Sequence, residues 1–300
     1  MSRNLVEIAG KRLSLANLEK ELYPACGFTK AQVLAYYRRI APYILPHLHD
    51  RALTLKRYPD GVDREFFFEK RCPPHPDWVR TAELQRDDGE RITVCLVNDL
   101  PTLIWVANLA SLELHVPLAR VGSPDRPDAM VFDLDPGEPA DVLVCARVAF
   151  ILQEILSRLG LASFVKTSGR KGLHLYVPLN APGTTFEDTK EFSRAVALIM
   201  QKNYPDLVTA RMAKDQRPGR VFINWSQNDA SLTMICAYSL RAREQPIVSC
   251  PLAWGELEEL ARQGDPANLL FDQGEAVARA EKKGDLFHEL LTVRQRLPHL

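Results

Sequence analysis

The chain has 300 residues, 46% of them hydrophobic and 25% charged, with 38 Lys and Arg balanced by 38 Asp and Glu. That composition is ordinary for a soluble globular protein, and zero net charge argues against indiscriminate coating of nucleic acid while leaving room for a local basic groove. No apolar run is long enough to span a bilayer and no basic-then-apolar leader opens the chain, so the expectation is a cytoplasmic protein with no membrane partner.

In chain order, LANLEKELYP (15–24) reads as a short helix ended by Pro24. Thr29, with Gln32 three residues on, makes a capping box for a long helix through KAQVLAYYRRIAPYIL. ALTLKRYP (52–59) and REFFFEK (64–70) read as strands around the turn-former DGVD, and RITVCLV as another strand. LPTLIWVANLASLEL predicts a helix running into HVP, and MVFDLDPG a strand. ADVLVCARVAFILQEILSRLG predicts a helix ending at Gly160, and SFVKTSGRKGLHLYVPL two strands around a Gly-rich turn. A helix over TFEDTKEFSRAVALIMQKNYP, strands at RVFINW and LTMICAYSLRAR, and helical C-terminal material complete the chain. Short turns between several strands point to an α/β (α+β) chain with mixed, partly antiparallel sheets flanked by helices. Pro and Asp concentrate in GSPDRPD (122–128), a loose seam between two packed lobes.

Three features bear on chemistry. In VFDLDPG (131–137), side chains alternate along the strand, so Asp133 and Asp135 share a face with α-carbons roughly 6.6 Å apart. Two such carboxylates repel, and a hard divalent cation would relieve the conflict; a solvated strand end entering a turn has the same pattern. In TSGRKGLHLY (167–176), Ser168, Arg170, Lys171 and His174 crowd around Gly169 and Gly172, the composition of a phosphate cradle or of a basic hairpin turn in solvent. The spacing is not that of a Walker A loop. RMAKDQRPGR (211–220) carries Arg211, Lys214, Arg217 and Arg220 against Asp215 alone, a groove lining or a solvated loop. The six scattered cysteines contain no Cys-x-x-Cys pair and read as buried or free thiols, not as a disulfide frame or zinc site.

In order, the blocks EKELYP, LKRYPDGVDREFFFEK, LELHVP, VFDLDPGEP, SGRKGLHLYVPL, RVFINWSQN and YSLRAR resemble the archaeo-eukaryotic primase superfamily. The match is to its bacterial branch, the polymerase domain of the non-homologous end-joining ligase D. The resemblance implies a primase-polymerase fold over 1–300 as a single domain, with the motifs in a catalytic lobe of about 128–245. It implies two Mg²⁺ or Mn²⁺ ions held by Asp133 and Asp135. It implies a triphosphate grip by Ser168, Lys171 and His174, assisted by Lys56, Gln227 and Arg241, with His115 at a ribose or phosphate contact. Phe66 and Phe67 would stack on bases, with strand alternation burying at least one of Phe66–Phe68. Lys20 and Lys30 would capture a downstream 5′-phosphate. Without the resemblance, these lysines read as surface residues and His115 as a core histidine.

One position departs from the family: Asn224 stands where a third metal-binding aspartate is expected. The implied activity is template-directed nucleotide addition that fills gaps and extends DNA ends, preferring ribonucleotides, alongside Ku and a DNA ligase at the nucleoid. The alternative is a catalytically impaired module that binds and synapses DNA ends. A phosphatase of the haloacid dehalogenase type also uses Asp-x-Asp, but wants Thr or Val where this chain has Gly137. No ligase or nuclease signature is visible, so the chain reads as a free-standing polymerase domain or a piece of a larger protein. The Met start and SRNLVEIAGKRLSL lead-in favour a natural N-terminus.

Overall fold

The computed structural model describes residues 3–85 and 89–298. It comprises two compact units: Met1–Gly122 with Thr233–Val248 and Asp272–Gly284, and Ser123–Leu232 with Ser249–Phe271 and Asp285–Leu300. The first division falls inside GSPDRPD, and YSLRAR lies in the first unit. Six helices are present among the described residues: α1 Lys30–Leu48, α2 Leu100–Asn108, α3 Val142–Arg158, α4 Phe186–Asn203, α5 Trp254–Gln263 and α6 Gln273–Lys283. None is long and apolar enough to cross a membrane.

The first unit is built on a four-stranded antiparallel sheet in the order Met234–Ile235, Ser111–Val116, Thr54–Arg57, Phe67–Glu69. The Thr29/Gln32 capping box starts α1 as expected. Val33, Tyr36, Tyr37, Ile40 and Ile44 then bury one stripe at helical spacing. The buried Tyr36 and Tyr37 hydroxyls donate to the carbonyls of Tyr238 and Leu112, each at 2.6 Å, so neither is left unpaired.

Three expected elements change here. LANLEKELYP is not a helix. Leu13 and Leu15 alternate with exposed residues in the strand Lys11–Ala16, Asn17 turns the chain at φ +55°, and Pro24 opens a 3-10 turn, Pro24–Cys26. LPTLIWVANLASLEL is helical only to Asn108. Ala110, at φ +57°, redirects the chain into Ser111–Val116, a strand whose alternating SLELHV pattern follows the helical run with only that turn between them. LTMICAYSLRAR forms a strand at Met234–Ile235 and, past the turn at Tyr238 (φ +64°), only a single antiparallel bridge from Leu240 to Val248. A further strand, Arg80–Gln85, pairs with Arg91–Leu96.

The cysteine reading also needs correction. Cys72 and Cys95 are disulfide-bonded with their α-carbons 4.9 Å apart, while Cys145, Cys236 and Cys250 are buried thiols and Cys26 is exposed. A Cys72 N–H donating to the Thr93 carbonyl (2.8 Å) lays the two segments side by side, a proximity that a separation of 23 residues does not reveal.

The second unit holds a six-stranded sheet in the order Val208–Thr209, Val221–Asn224, Ala129–Pro136, Leu173–Pro178, Phe164–Thr167, Pro251–Leu252. All neighbours are antiparallel except the first two strands, which are parallel. The central strand, Ala129–Pro136, turns Phe132 and Leu134 into a fully buried face and the two aspartates to the other. α3 packs along this strand, with Val148, Ala149, Leu152 and Leu156 buried. Where strand pairing on the Asn224 side ends, the buried Asn228 amide accepts from the Val131 N–H and donates to its carbonyl, both at 2.8 Å.

Two glycines permit the close approach of the loops around the aspartates. A Cβ on Gly172 would lie 1.9 Å from the Leu134 carbonyl oxygen, and one on Gly137 2.2 Å from that of Arg217. Gly172→Ala is therefore expected to lower the unfolding free energy by about 3 kcal/mol, the upper range of overpacking. Gly255→Ala, in α5 with open space around the Cβ position, should leave it unchanged or raise it by up to about 1 kcal/mol. Denaturant melts of the two variants make the comparison, and equal stability would remove the close-approach role of Gly172.

Candidate active site

Strand register assembles the acidic side of the site. Asp133 is paired with Asn224 on one neighbouring strand and with His174 on the other, and His174 with Lys166 on the strand beyond. Asn224, Asp133, His174 and Lys166 thus form one row across four strands. Asn224 Nδ2 donates to Asp133 Oδ2 at 3.2 Å, and His174 Nε2 lies 3.4 Å from Asp133 Oδ1. Lys166 Nζ lies 2.9 Å from His174 Nδ1 and donates to Ser249 Oγ. Lys166 is fully buried, and the sequence reading did not single it out. Its only signal is a lone charge inside the apolar strand FVKT, where an unpaired lysine is almost never found.

The two aspartates differ electrostatically. Burial opposes ionisation of Asp133, but the His174 hydrogen bond and charge, the Asn224 amide and Lys166 outweigh it and hold the carboxyl below its usual value. Asp135 is raised, by burial and then by the charge of Asp133, with Arg217 and Lys171 only partly compensating. Arg217 Nη1 lies 3.4 Å from Asp135 Oδ2, its guanidinium stacks 3.8 Å from the Phe222 ring centroid, and Nη2 donates to the Met212 carbonyl.

This residual repulsion between oxygen donors is what a hard divalent cation relieves, and the two carboxylates fit one. Asn224 fits less directly. Its Nδ2 faces Asp133 and its Oδ1 accepts from Ser226 Oγ at 2.7 Å, so ligation through the amide oxygen requires a flip. Among the described residues no three His, Cys, Asp or Glu side chains are grouped to hold a metal.

The Gly-rich turn is internally closed. Ser168 Oγ accepts from the N–H groups of Arg170 (3.2 Å) and Gly172 (3.1 Å), and exposed Lys171 pairs with Glu138 at 2.7 Å. Gln227 sits in the 3-10 turn Trp225–Gln227 directly after Asn224.

The first unit carries a separate cluster. Lys56, Glu113 and Phe68 share a register row across three strands. Fully buried Glu113 receives His115 Nε2 at 3.0 Å, Arg241 Nη1 at 3.4 Å and Lys56 Nζ at 3.6 Å on one oxygen, and the Ala242 N–H at 3.1 Å on the other. The Lys56 ammonium also lies 4.1 Å from the Phe66 ring centroid and 5.4 Å from that of Phe68. Contrary to expectation, none of Phe66–Phe68 is buried: 49%, 44% and 58% of their surfaces are exposed, because Phe67–Glu69 is an edge strand. His115 is largely buried and hydrogen-bonded. Glu113, like Lys166, was missed; in SLELHV it shares the polar face of an alternating strand with Ser111 and His115, a pattern that does not by itself mark it as buried.

Lys20 pairs with Asp60 at 2.6 Å. Lys30 is not a surface residue: it is buried, and its ammonium donates to the Ala16 carbonyl at 2.8 Å. Burial, then the charges of Lys20 and Arg57, lower it to about 8.

Replacing Asn224 by aspartate exchanges a donor for a second carboxylate against Asp133. Asn224→Asp should lose about 1–2 kcal/mol of metal-free stability and regain it in Mn²⁺, with a larger metal-induced rise in melting temperature than the native protein. Superimposable melts of the two forms, with and without Mn²⁺, would exclude a cation at this position.

Residues 29–287 match the family model for the LigD primase-polymerase domain. The chain is 41% identical over 285 residues to the multifunctional non-homologous end joining protein LigD of Mycolicibacterium smegmatis, covering 93% of this chain and 36% of that protein. It is 33% identical over 279 residues to the bifunctional LigD of Bacillus subtilis, covering 93% of this chain and 44% of the relative. The chain therefore spans less than half the length of these relatives. The solved polymerase domain of Mycobacterium tuberculosis ligase D, in complex with DNA, superposes with a TM-score of 0.87 at 38% identity, covering 95% of this chain and 99% of that one. With Asp133 aligned between Asn224 and His174 across three strands and a match that runs along its length, the chain belongs to the LigD primase-polymerase domain family.

Proposed function

We propose that this chain adds nucleotides to a primer 3′-hydroxyl under template direction, filling gaps and extending DNA ends in non-homologous end joining. The observation that carries the reading is the shared face of Asp133 and Asp135 on the central strand, flanked in register by His174 and Asn224. Mg²⁺ or Mn²⁺, held by Asp133 and Asp135, would lower the hydroxyl's pKa and stabilise the leaving pyrophosphate. Ser168, Lys171, His174 and Gln227 would orient the triphosphate, with Lys171 exchanging Glu138 for phosphate oxygens. Lys56, His115 and Arg241 would supply further nucleotide contacts. The exposed rings of Phe66 and Phe67 would stack on bases. By family resemblance the reading extends to ribonucleotides, to Ku and to a DNA ligase acting at the same ends.

A second reading, an end-binding module with impaired chemistry, is favoured by one observation: Asn224 donates its amide to Asp133 and brings no charge. Extension of a gapped primer–template with ribonucleotides in Mn²⁺ separates the two. Asp133→Ala and Asp135→Ala should each abolish addition while changing gapped-duplex affinity by less than about twofold, because they hold cations and not the duplex. Loss of duplex affinity in step with activity would overturn the assignment.

Lys20 and Lys30 are proposed to receive the downstream 5′-phosphate. Only the protonated Lys30 attracts phosphate, and its value of about 8 places the loss of charge just above neutrality. The preference for a 5′-phosphorylated over a dephosphorylated gapped duplex should therefore be about tenfold at pH 7 and fall severalfold by about pH 9 to 10 as the Lys30 share is lost. Fluorescence-anisotropy titrations across that range measure it. A preference that does not change with pH would exclude Lys30 from the pocket.

A further inference from the structure

Among the described residues Glu113 is the one carboxylate on which three proposed nucleotide contacts converge, and no exposed atom of its side chain can reach a ligand. It faces Lys56 across the sheet, lies two residues before His115 on the same strand face, and takes the Arg241 guanidinium from the segment that follows the turn at Tyr238. Its second oxygen is fixed by the Ala242 N–H, so the chain at Arg241 and the side chain of Arg241 are tied to the same group. Lys56 is held from the other side by the Phe66, Phe68 and Tyr58 rings, at 4.1, 5.4 and 5.3 Å from their centroids.

We propose that Glu113 is the positioning residue of the first unit's nucleotide contacts, a buried anion that holds Lys56, His115 and Arg241 in the array a triphosphate engages. This inference rests on the nucleotide-binding reading of those three residues.

Two effects of Glu113 on an anionic ligand compete. Its own charge repels phosphate, while its absence would leave two buried cations facing each other without a counter-ion. Broken buried pairs cost more than intact ones contribute, so the cations would separate and leave the array. Their charges already neutralise the carboxylate. Burial alone would raise Glu113, yet the His115 hydrogen bond and the charges of Arg241, His115 and Lys56 hold it at about 2. Positioning therefore outweighs repulsion.

Glu113→Gln keeps the shape and an acceptor for the Ala242 N–H but removes the charge. ATP binding in Mn²⁺, followed by calorimetry on the full chain, should weaken about tenfold. Lys56→Met should weaken it in the native background but add little to Glu113→Gln, because the lysine is already displaced; a merely structural role would leave the two effects additive. Glu113→Asp, which keeps the charge at shorter reach, should fall between native and Gln, and it serves if the Gln variant does not fold. In the nucleotide-free protein, acetic anhydride should label Lys56 about fivefold faster in either variant, with other lysines unchanged. Tighter ATP binding in Glu113→Gln, additive double mutants, or unchanged Lys56 labelling would each overturn the proposal. If the native protein binds no ATP, the nucleotide reading fails on its own, and the labelling still decides whether Glu113 holds Lys56.

Discussion

The register of the Ala129–Pro136 strand is the constraint on which the acidic site depends. Side chains alternate, so a slip of one residue would send Asp133 and Asp135 into the packed face and Phe132 and Leu134 out of it. The cost of burying two carboxylates while exposing two apolar side chains fixes the register without any contribution from ligand. Pairing on both sides then converts register into geometry, since Asn224 and His174 have no choice but to flank Asp133. Gly172 and Gly137 let the flanking loops lie directly on this strand and its exit, and the Asn228 amide replaces a missing strand partner at Val131.

Each unit also carries a buried charge of the opposite sign behind the side chains proposed to bind ligand. In the second it is Lys166, behind His174 and through it Asp133; in the first it is Glu113, behind Lys56, His115 and Arg241. Such groups contribute little net stability, because desolvation offsets most of the Coulomb gain. Their value is directional. A lysine has only donors and a carboxylate only acceptors, so each restricts which atoms of its neighbours can face it, and hence which atoms are left to face outward.

What the sequence conveyed follows the range of the interactions. The α1 capping box, the α3 and α4 helices, and the shared face of Asp133 and Asp135 depend on residues within a few positions of one another, and all were legible. The reading failed at Ser111–Val116, where the alternating strand SLELHV follows the helical run LPTLIWVAN with only the turn at Ala110 between them, and at LANLEKELYP, where two strand ends joined by a turn at Asn17 imitate a helical spacing. Cys72 with Cys95, and Glu113 with Lys56 and Arg241, lie 23 to 128 residues apart and meet only through tertiary pairing. The exposed Phe66–Phe68 were misjudged for a related reason: alternation predicts burial only where something covers the second face, and an edge strand lacks it.

Asn224 shows how such a row accommodates a change of charge. With aspartate there, two carboxylates would meet at about 3 Å, a contact that is repulsive until a cation arrives. The amide reverses this: it donates to Asp133, accepts from Ser226, and leaves the row satisfied with no ion present. The same bonds that make the metal-free row stable must be broken for the amide oxygen to turn toward a cation, so stability without metal and affinity for it are set against each other at one side chain. Asp135 keeps the opposite character. It is raised by its neighbour and only partly compensated by Arg217 and Lys171. A divalent cation held as proposed would therefore relieve more repulsion at the exposed end of the strand, at Asp135, than at the buried pair of Asp133 and Asn224.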